Sequence, residues 1–245
     1  MNTVIDLLKS HRSIRKFTHQ PITDELLHTL VAAGQCAATS NHVQAYSIIR
    51  VVDQGNREQL VALSGGQPYV AGCAEFLVFC ADMKRSFEAA ERAGAEIVTG
   101  MTEQLLVATI DAALIAQNLV VAAESVGLGI CYIGGLRNNP ADVSALLRLP
   151  EHVYPVFGLC LGYPDQKPEV KPRLPLETIL KQDYYNGSED EAQVAAFDHT
   201  MQSYYQQRTG NNKETNWSQQ LRPMFSHKLR PHMKDFLFSK GFEMK

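Results

Sequence analysis

His11, Arg12, Ser13, Ile14 and Arg15 form a short basic run near the start of the chain, and Lys171, Pro172 and Arg173 echo it far downstream. Arginine presents a planar fork of donors that suits phosphate oxygens, serine adds a hydroxyl, and a phosphate monoester carries roughly two negative charges near neutral pH. Two distant segments of this kind can close on one phosphate. Proline extends the residue before it, and alternate side chains of an extended segment share a face, so Lys171 and Arg173 are expected to point the same way. Taken singly, each island is more often solvated surface charge. Their combination with other features is what points to a small polyanion.

Tyr132-Ile133-Gly134-Gly135 follows an expected strand, and paired glycines let a backbone approach a flat ligand while presenting N–H groups to it. Gly65-Gly66-Gln67 is similar, with Gln67 offering donor and acceptor to a ring edge. Thr39, Ser40, Asn41 and Gln44 form a polar stretch placed for a sugar-alcohol chain or a polar ring edge, although the sequence alone favours a plain connecting loop. Neither G-x-G-x-x-G nor G-x-x-x-x-G-K-[ST] occurs, which disfavours the two commonest phosphate-binding folds. No Ser-His-Asp order and no H-E-x-x-H helix stands out, and no metal site is expected. Glu75, Glu103 and Asp111 sit in apolar sequence, as acids with shifted titration or as buried, paired ones. A chain without an acid–base or nucleophile motif fits an enzyme whose chemistry belongs to a bound cofactor.

The chain has 245 residues, with 23 Lys+Arg against 26 Asp+Glu and a net charge of -3. It lacks the positive field that nucleic-acid binding needs, so no DNA or RNA partner is expected. Five widely spaced cysteines, Cys36, Cys73, Cys80, Cys131 and Cys160, with no C-x-x-C pair, read as reduced thiols in a cytoplasmic protein. No apolar leader with a small-residue cleavage site begins the chain. Between Leu105 and Val126 the longest uncharged run, Ala112 to Ala123, is 12 residues. That is too short to cross a bilayer, so the region reads as a central, mostly buried helix and no membrane partner is expected.

These groups need elements to hold them. Apolar positions 4, 5, 7 and 8 repeat at helical spacing and put the basic run at the end of a first helix, where cations suit the dipole. Thr23 is the expected cap of a second helix ending near Gly34. Tyr46–Val52 and Glu75–Ala81 read as buried strands with a helix over 57–63 between them. A long helix from about Thr102 to Val126 is expected to close on left-handed Gly127 and Gly129, leading to a strand over Ile130–Ile133. Asn139 is the expected cap of a helix beginning at Pro140, and Val153–Leu161 is a fourth strand. Without a regular βαβ rhythm, the pattern argues for an α+β sandwich. From about Gln182 the chain is more polar, with two expected helices, Glu191–Gln207 and roughly Ser218–Ser239. With few apolar residues per turn, they are expected to make no core alone and to wrap over a partner subunit.

With these motifs the chain resembles the flavin-dependent nitroreductase superfamily, in its subgroup of oxygen-insensitive NADPH nitroreductases and NADPH-flavin oxidoreductases. The residues that carry the resemblance are His11 to Phe17, Ala74-Glu75-Phe76, Ala122-Ala123-Glu124-Ser125, Tyr132 to Asn138, Phe157 to Gly162, Lys171 to Pro175, Tyr204-Tyr205 with Arg208, and Arg230-Pro231. The resemblance implies a sandwich with a central mixed, mainly antiparallel sheet flanked by helices, in a homodimer with FMN at the subunit interface. It implies an FMN-binding core over 1–181 and, over 182–245, an extension that embraces the partner and contributes to the NADPH site. It assigns the phosphate grip to His11, Arg12, Lys171 and Arg173, with Ser13 and Arg15 close by. Thr39, Ser40, Asn41, Gln44, Gln67, Tyr132, Ile133, Gly134 and Gly135 then line the rest of the flavin. Arg15, Gly134 and Gly135 take the catalytic positions, stabilising the reduced ring. Arg208 matches the position associated with the NADPH 2′-phosphate, with Arg230 as a second candidate. The implied activity is ping-pong, two-electron reduction of nitroaromatics and quinones, or alternatively supply of reduced FMN to another enzyme. Two departures stand out. Ala38-Thr39-Ser40-Asn41-His42 replaces a serine run, and Cys131 stands where glycine is common, as inert packing or as a redox-sensitive thiol.

Overall fold

Side-chain caps start the first two helices of the computed structural model, which describes residues 2–245. Asn2 accepts from the Val4 N–H and opens α1 (Thr3–Lys9), and Thr23 accepts from the Leu26 N–H and opens α2 (Asp24–Gln35), as expected. There follow β1 (Tyr46–Arg50), α3 (Gln54–Leu63), the short α4 (Tyr69–Gly72), β2 (Glu75–Asp82), α5 (Lys84–Arg92) and α6 (Thr102–Ser125). Then come β3 (Gly129–Ile133), a 3-10 turn over Gly134–Asn138, α7 (Pro140–Leu146) and β4 (Val153–Gly162). Beyond the sheet lie α8 (Leu176–Ile179), α9 (Asp190–Gln207), α10 (Trp217–Phe225) and α11 (Met233–Ser239).

Two compact units emerge, Met1–Gln166 with Arg230–Lys245, and Lys167–Leu229. The last residues return to the first unit, where Phe236 and Phe242 join the core and the Lys245 N–H bonds Gly100 O at 2.9 Å.

In the first unit the strands run in the order β1-β2-β4-β3, every neighbour antiparallel. Among the described residues the parallel pairing is the isolated Ser13–Ile130 bridge, so the expected mixed sheet is almost purely antiparallel. Alternation then splits the core. Leu77, Phe79 and Ala81 of β2 face the layer of α2 and α6, while Phe76, Val78 and Cys80 face the opposite layer with Leu60, Val70 and Val143. Along β4 the parity changes, because a bulge opposite Phe79 and Cys80 adds a residue and turns Tyr154, Val156, Leu159 and Leu161 to one side.

Several expectations need correction. α6 buries one face only, with Ala108, Asp111, Ala112, Ile115, Ala116, Leu119, Val120 and Ala123 inside and Leu106, Ile110 and Leu114 outside. Gly127 takes the left-handed φ of 82°, but Gly129 does not; it is glycine because a Cβ there would stand 2.6 Å from Ile14 Cγ1. Asn139 makes no side-chain cap and donates to Leu63 O instead at 2.8 Å. The single helix expected over Ser218–Ser239 breaks into α10 and α11, with Pro231 and a left-handed Arg230 between them. In the second unit α9 does make a small core, burying Phe197, Met201 and Tyr205 beside Leu174, Tyr204 and Trp217.

Candidate functional site

The basic run is laid along the outer edge of β3. The Ile14 N–H bonds Ile130 O at 2.8 Å, and the Thr18 N–H bonds Tyr163 O at 2.8 Å, so the segment is held as extended chain at both ends. His11 Nδ1 donates to Glu124 Oε1 on α6 at 2.6 Å, which fixes the proton on that nitrogen and leaves Nε2 for a ligand. Arg12 Nε donates to Ser10 O at 3.1 Å.

Arg15, Gln67 and Gly135, far apart in sequence, meet around a residue the sequence reading did not single out. The positive charge of Arg15 acts on the Tyr69 hydroxyl. That hydroxyl donates to Gln67 Oε1 at 2.6 Å, and Gln67 Nε2 donates to Ser64 O at 2.7 Å. A Cβ on Gly135 would stand 2.6 Å from Gln67 Nε2, so the glycine is required by close approach. Burial and the charge of a nearby Cys131 thiolate form raise the Tyr69 pKa against the pull of Arg15, so the phenol keeps the proton it donates.

The neighbours are now placed. Burial pushes the Cys131 thiol up, against Arg15, and the side chain packs in the core. Tyr132 leans edge-on against Phe157, with ring centroids 5.1 Å apart, and its hydroxyl donates to Gln117 at 3.4 Å. Ile133 is fully buried, which leaves only its backbone for a ligand. Gly134 opens the 3-10 turn, whose Asn138 accepts from Arg230 Nε at 3.0 Å and whose Arg137 carbonyl meets His232 Nε2 at 3.0 Å. Arg230 therefore braces the glycine turn within the first unit.

The polar stretch is attached elsewhere on α6. Ser40–His42 forms a 3-10 turn, and the Asp111 carboxylate accepts from the Ser40 and Ala45 N–H groups, each at 3.0 Å. Of the three acids in apolar sequence, Asp111 is buried with these partners, Glu75 is paired with Arg50 at 2.6 Å, and Glu103 is exposed at the start of α6.

In the second unit Lys171 Nζ lies 5.5 Å from the centroid of the Tyr205 ring, and Arg173 donates back to Lys171 O at 3.0 Å. Arg208 donates to Asn211 O and stacks on Tyr205, its guanidinium carbon 4.8 Å from the ring centroid. Burial raises the Tyr205 pKa, but the positive charges of Lys171 and Arg208 outweigh it and leave the phenol below its usual value.

Sequence reasoning missed Tyr69 and the roles of Glu124 and Asp111. Asp111 and Glu124 carried a signal, as acids on an apolar helix; Tyr69 carried none beyond its place two residues after Gln67.

A model of the nitroreductase family matches residues 8–163, and a model of the nitroreductase family C-terminal domain matches residues 171–245. A Cr(VI) reductase of Pseudomonas sp. (strain G-1) is 45% identical over 242 residues, covering 99% of this chain and 100% of the relative. An oxygen-insensitive NADPH nitroreductase of Salmonella typhimurium is 43% identical over 242 residues, covering 99% of both. The solved NADPH:FMN oxidoreductase from Vibrio harveyi, complexed with NAD+, superposes with a TM-score of 0.91 at 42% identity, covering 100% of both chains.

Proposed function

The chain belongs to the nitroreductase family, and from that premise we propose an FMN-dependent enzyme that takes electrons from NADPH and delivers them in pairs to nitroaromatics and quinones. The observation that carries the reading is the meeting of Arg15, Gln67 and Gly135 around the Tyr69 hydroxyl. The residues fit an FMN. His11, Arg12, Ser13, Arg15 and Gln67 form a donor set suited to a phosphorylated ligand with a carbonyl edge, and Thr39 Oγ1 is a buried hydroxyl with no partner of its own.

When bound, FMN supplies the two-electron carrier between nicotinamide and acceptor. Arg12 would bind the phosphate as a charged donor, and His11, Lys171 and Arg173 keep the phosphate role that the resemblance assigns them. Gln67 is locked: with Oε1 engaged by Tyr69 and one N–H by Ser64 O, its amide cannot flip, and one N–H remains to orient the ring edge. Arg15, whose charge acts on the Tyr69 hydroxyl, would supply positive charge to stabilise a reduced ring. The buried Ile133, Cys131 and Leu136 behind the glycine turn keep water from its inner side. Arg208 serves the 2′-phosphate of NADPH, with Arg230 as the second candidate.

The same reading makes the enzyme a homodimer. Leu106, Ile110 and Leu114 of α6, and Val4, Ile5 and Leu8 of α1, are apolar side chains each 42% to 55% exposed. Moreover, Ser40 and His11 are tied to α6 at Asp111 and Glu124, 13 residues or about 20 Å apart along its axis. That separation suits a cofactor shared between two copies, each lending a different end of its helix. The extension over 182–245 adds to this embrace through the exposed Tyr184, Tyr185 and Phe225. The buried free thiols Cys73, Cys80, Cys131 and Cys160 suit the cytoplasm.

Purified protein is expected to be yellow and to bleach on anaerobic addition of NADPH; colourless protein that takes up no FMN would falsify the reading. Likeness to the NADPH:FMN oxidoreductase favours one alternative, supply of reduced FMN to another enzyme. Steady-state kinetics separate the two, by saturation with a nitrofuran or quinone against far higher efficiency with free FMN.

A further inference from the structure

Asp111 is a carboxylate in the middle of the apolar α6, 1% exposed, and a charge so buried needs compensation. Its partners among the described residues are two backbone N–H groups, those of Ser40 and Ala45, one on each oxygen at 3.0 Å. The backbone between them is strained. Asn41, His42 and Gln44 all take left-handed φ values of 47°, 59° and 53°, a region that non-glycine residues enter at a cost. The far side of the turn is pinned to the sheet, where the Asp82 N–H bonds Ala45 O at 2.9 Å. Two buried hydroxyls flank the stretch without partners, Thr39 Oγ1 and Tyr46 Oη.

An ordinary connecting loop needs neither a buried charge nor three left-handed residues. We propose that Asp111 is a positioning residue that clamps the Ser40–Ala45 turn in its strained form, setting Thr39, Ser40, Asn41 and Gln44 to meet the hydroxylated chain of a bound flavin. This rests on the FMN reading above. The carboxylate does what an amide cannot: it accepts on both oxygens, whereas an asparagine would offer one acceptor and set an NH2 group against a backbone N–H. The unpaired Thr39 hydroxyl is the group the ligand's hydroxyls satisfy. The Tyr46 hydroxyl, kept protonated by burial and by the adjacent Asp111 charge, packs beside the clamp.

The test uses the holoenzyme of Asp111→Asn beside wild type, read by FMN dissociation constant, visible circular dichroism of the bound flavin, and melting temperature. The expected result is an FMN dissociation constant raised about tenfold or more and an altered flavin dichroism. A dissociation constant within about twofold of wild type and an unchanged dichroism, with only the melting temperature lowered, overturns the role and leaves a merely structural carboxylate. Should the variant not fold, hydrogen exchange on the wild-type protein decides. Ser40 and Ala45 amides are expected to exchange slowly and the 39–45 stretch to gain protection on FMN binding. Exchange as fast as in open loops, or indifferent to FMN, overturns the proposal. Wild-type protein without FMN uptake removes the flavin reading itself and this role with it, which is a different failure from a normal wild type beside a normal variant.

Discussion

The hydroxyl of Tyr69 donates to Gln67 Oε1 at 2.6 Å, and the positive charge of Arg15 acts on that same hydroxyl. Replacing Tyr69 by Phe keeps the ring and removes the link. FMN binding should weaken by about 1 kcal/mol, roughly fivefold, with the melting temperature little changed. A fluorescence titration of the apoprotein with FMN measures this, and an unaltered constant removes Tyr69 from the site.

Arg12→Ala and Arg173→Ala should each weaken FMN retention by roughly 1.5 to 3 kcal/mol, the value of a charge-assisted hydrogen bond. If both variants hold FMN as tightly as wild type, these cations are solvated surface charge and the phosphate grip lies elsewhere.

Arg208 is already oriented by Asn211 O and the Tyr205 ring. Arg208→Ala should raise KM for NADPH severalfold more than KM for NADH. Equal changes for the two cofactors would deny it the 2′-phosphate.

Tyr205 should be the first tyrosine to ionise in an alkaline titration followed by phenolate absorbance, because its folded pKa lies below the usual 10.0. For an acid with a depressed folded pKa, the stabilisation is fully present above the unfolded value near 10 and is lost as pH falls through the folded one. It therefore contributes nothing at neutral pH. Tyr205→Phe should delete the lowest transition; if that transition survives, the Lys171 and Arg208 charges do not act on this phenol.

Gly129→Ala would press a methyl group against Ile14, 2.6 Å away, and should destabilise the fold by about 1 to 3 kcal/mol. Since Ile14 sits between Arg12 and Arg15, FMN affinity should fall too. A variant with wild-type stability and affinity would show that the basic run moves freely on β3.

What was legible in the sequence was what depends on near neighbours. The Thr23 cap, the alternating core of Glu75–Ala81 and the paired glycines after Ile133 all act within a few residues of themselves. α5 escaped because Lys84–Arg92 reads as charged surface, although its polar face is stitched by the Lys84–Glu88 pair. Gly129 was misread as a helix stop because its real constraint, Ile14, lies over a hundred residues away. Arg57 gave no hint that its guanidinium would be buried among the carbonyls of Val51, Cys73 and Ala74. In the candidate site, residue types pointed to Arg15, Gln67 and Gly135 separately, but nothing in their spacing announced the tyrosine that joins them.

Gln117 and Glu124, which meet Tyr132 and His11, are seven residues apart on α6 and so share one side of the rod, while Asp111 looks toward another. Each residue added to an α-helix rotates everything after it by about 100°. A single insertion between Asp111 and Gln117 would swing both downstream anchors away from their targets at once, however well the new residue suited a helix. Descendants of this chain can thus lengthen or shorten their surface connections, but this rod is free to change its letters and not its count.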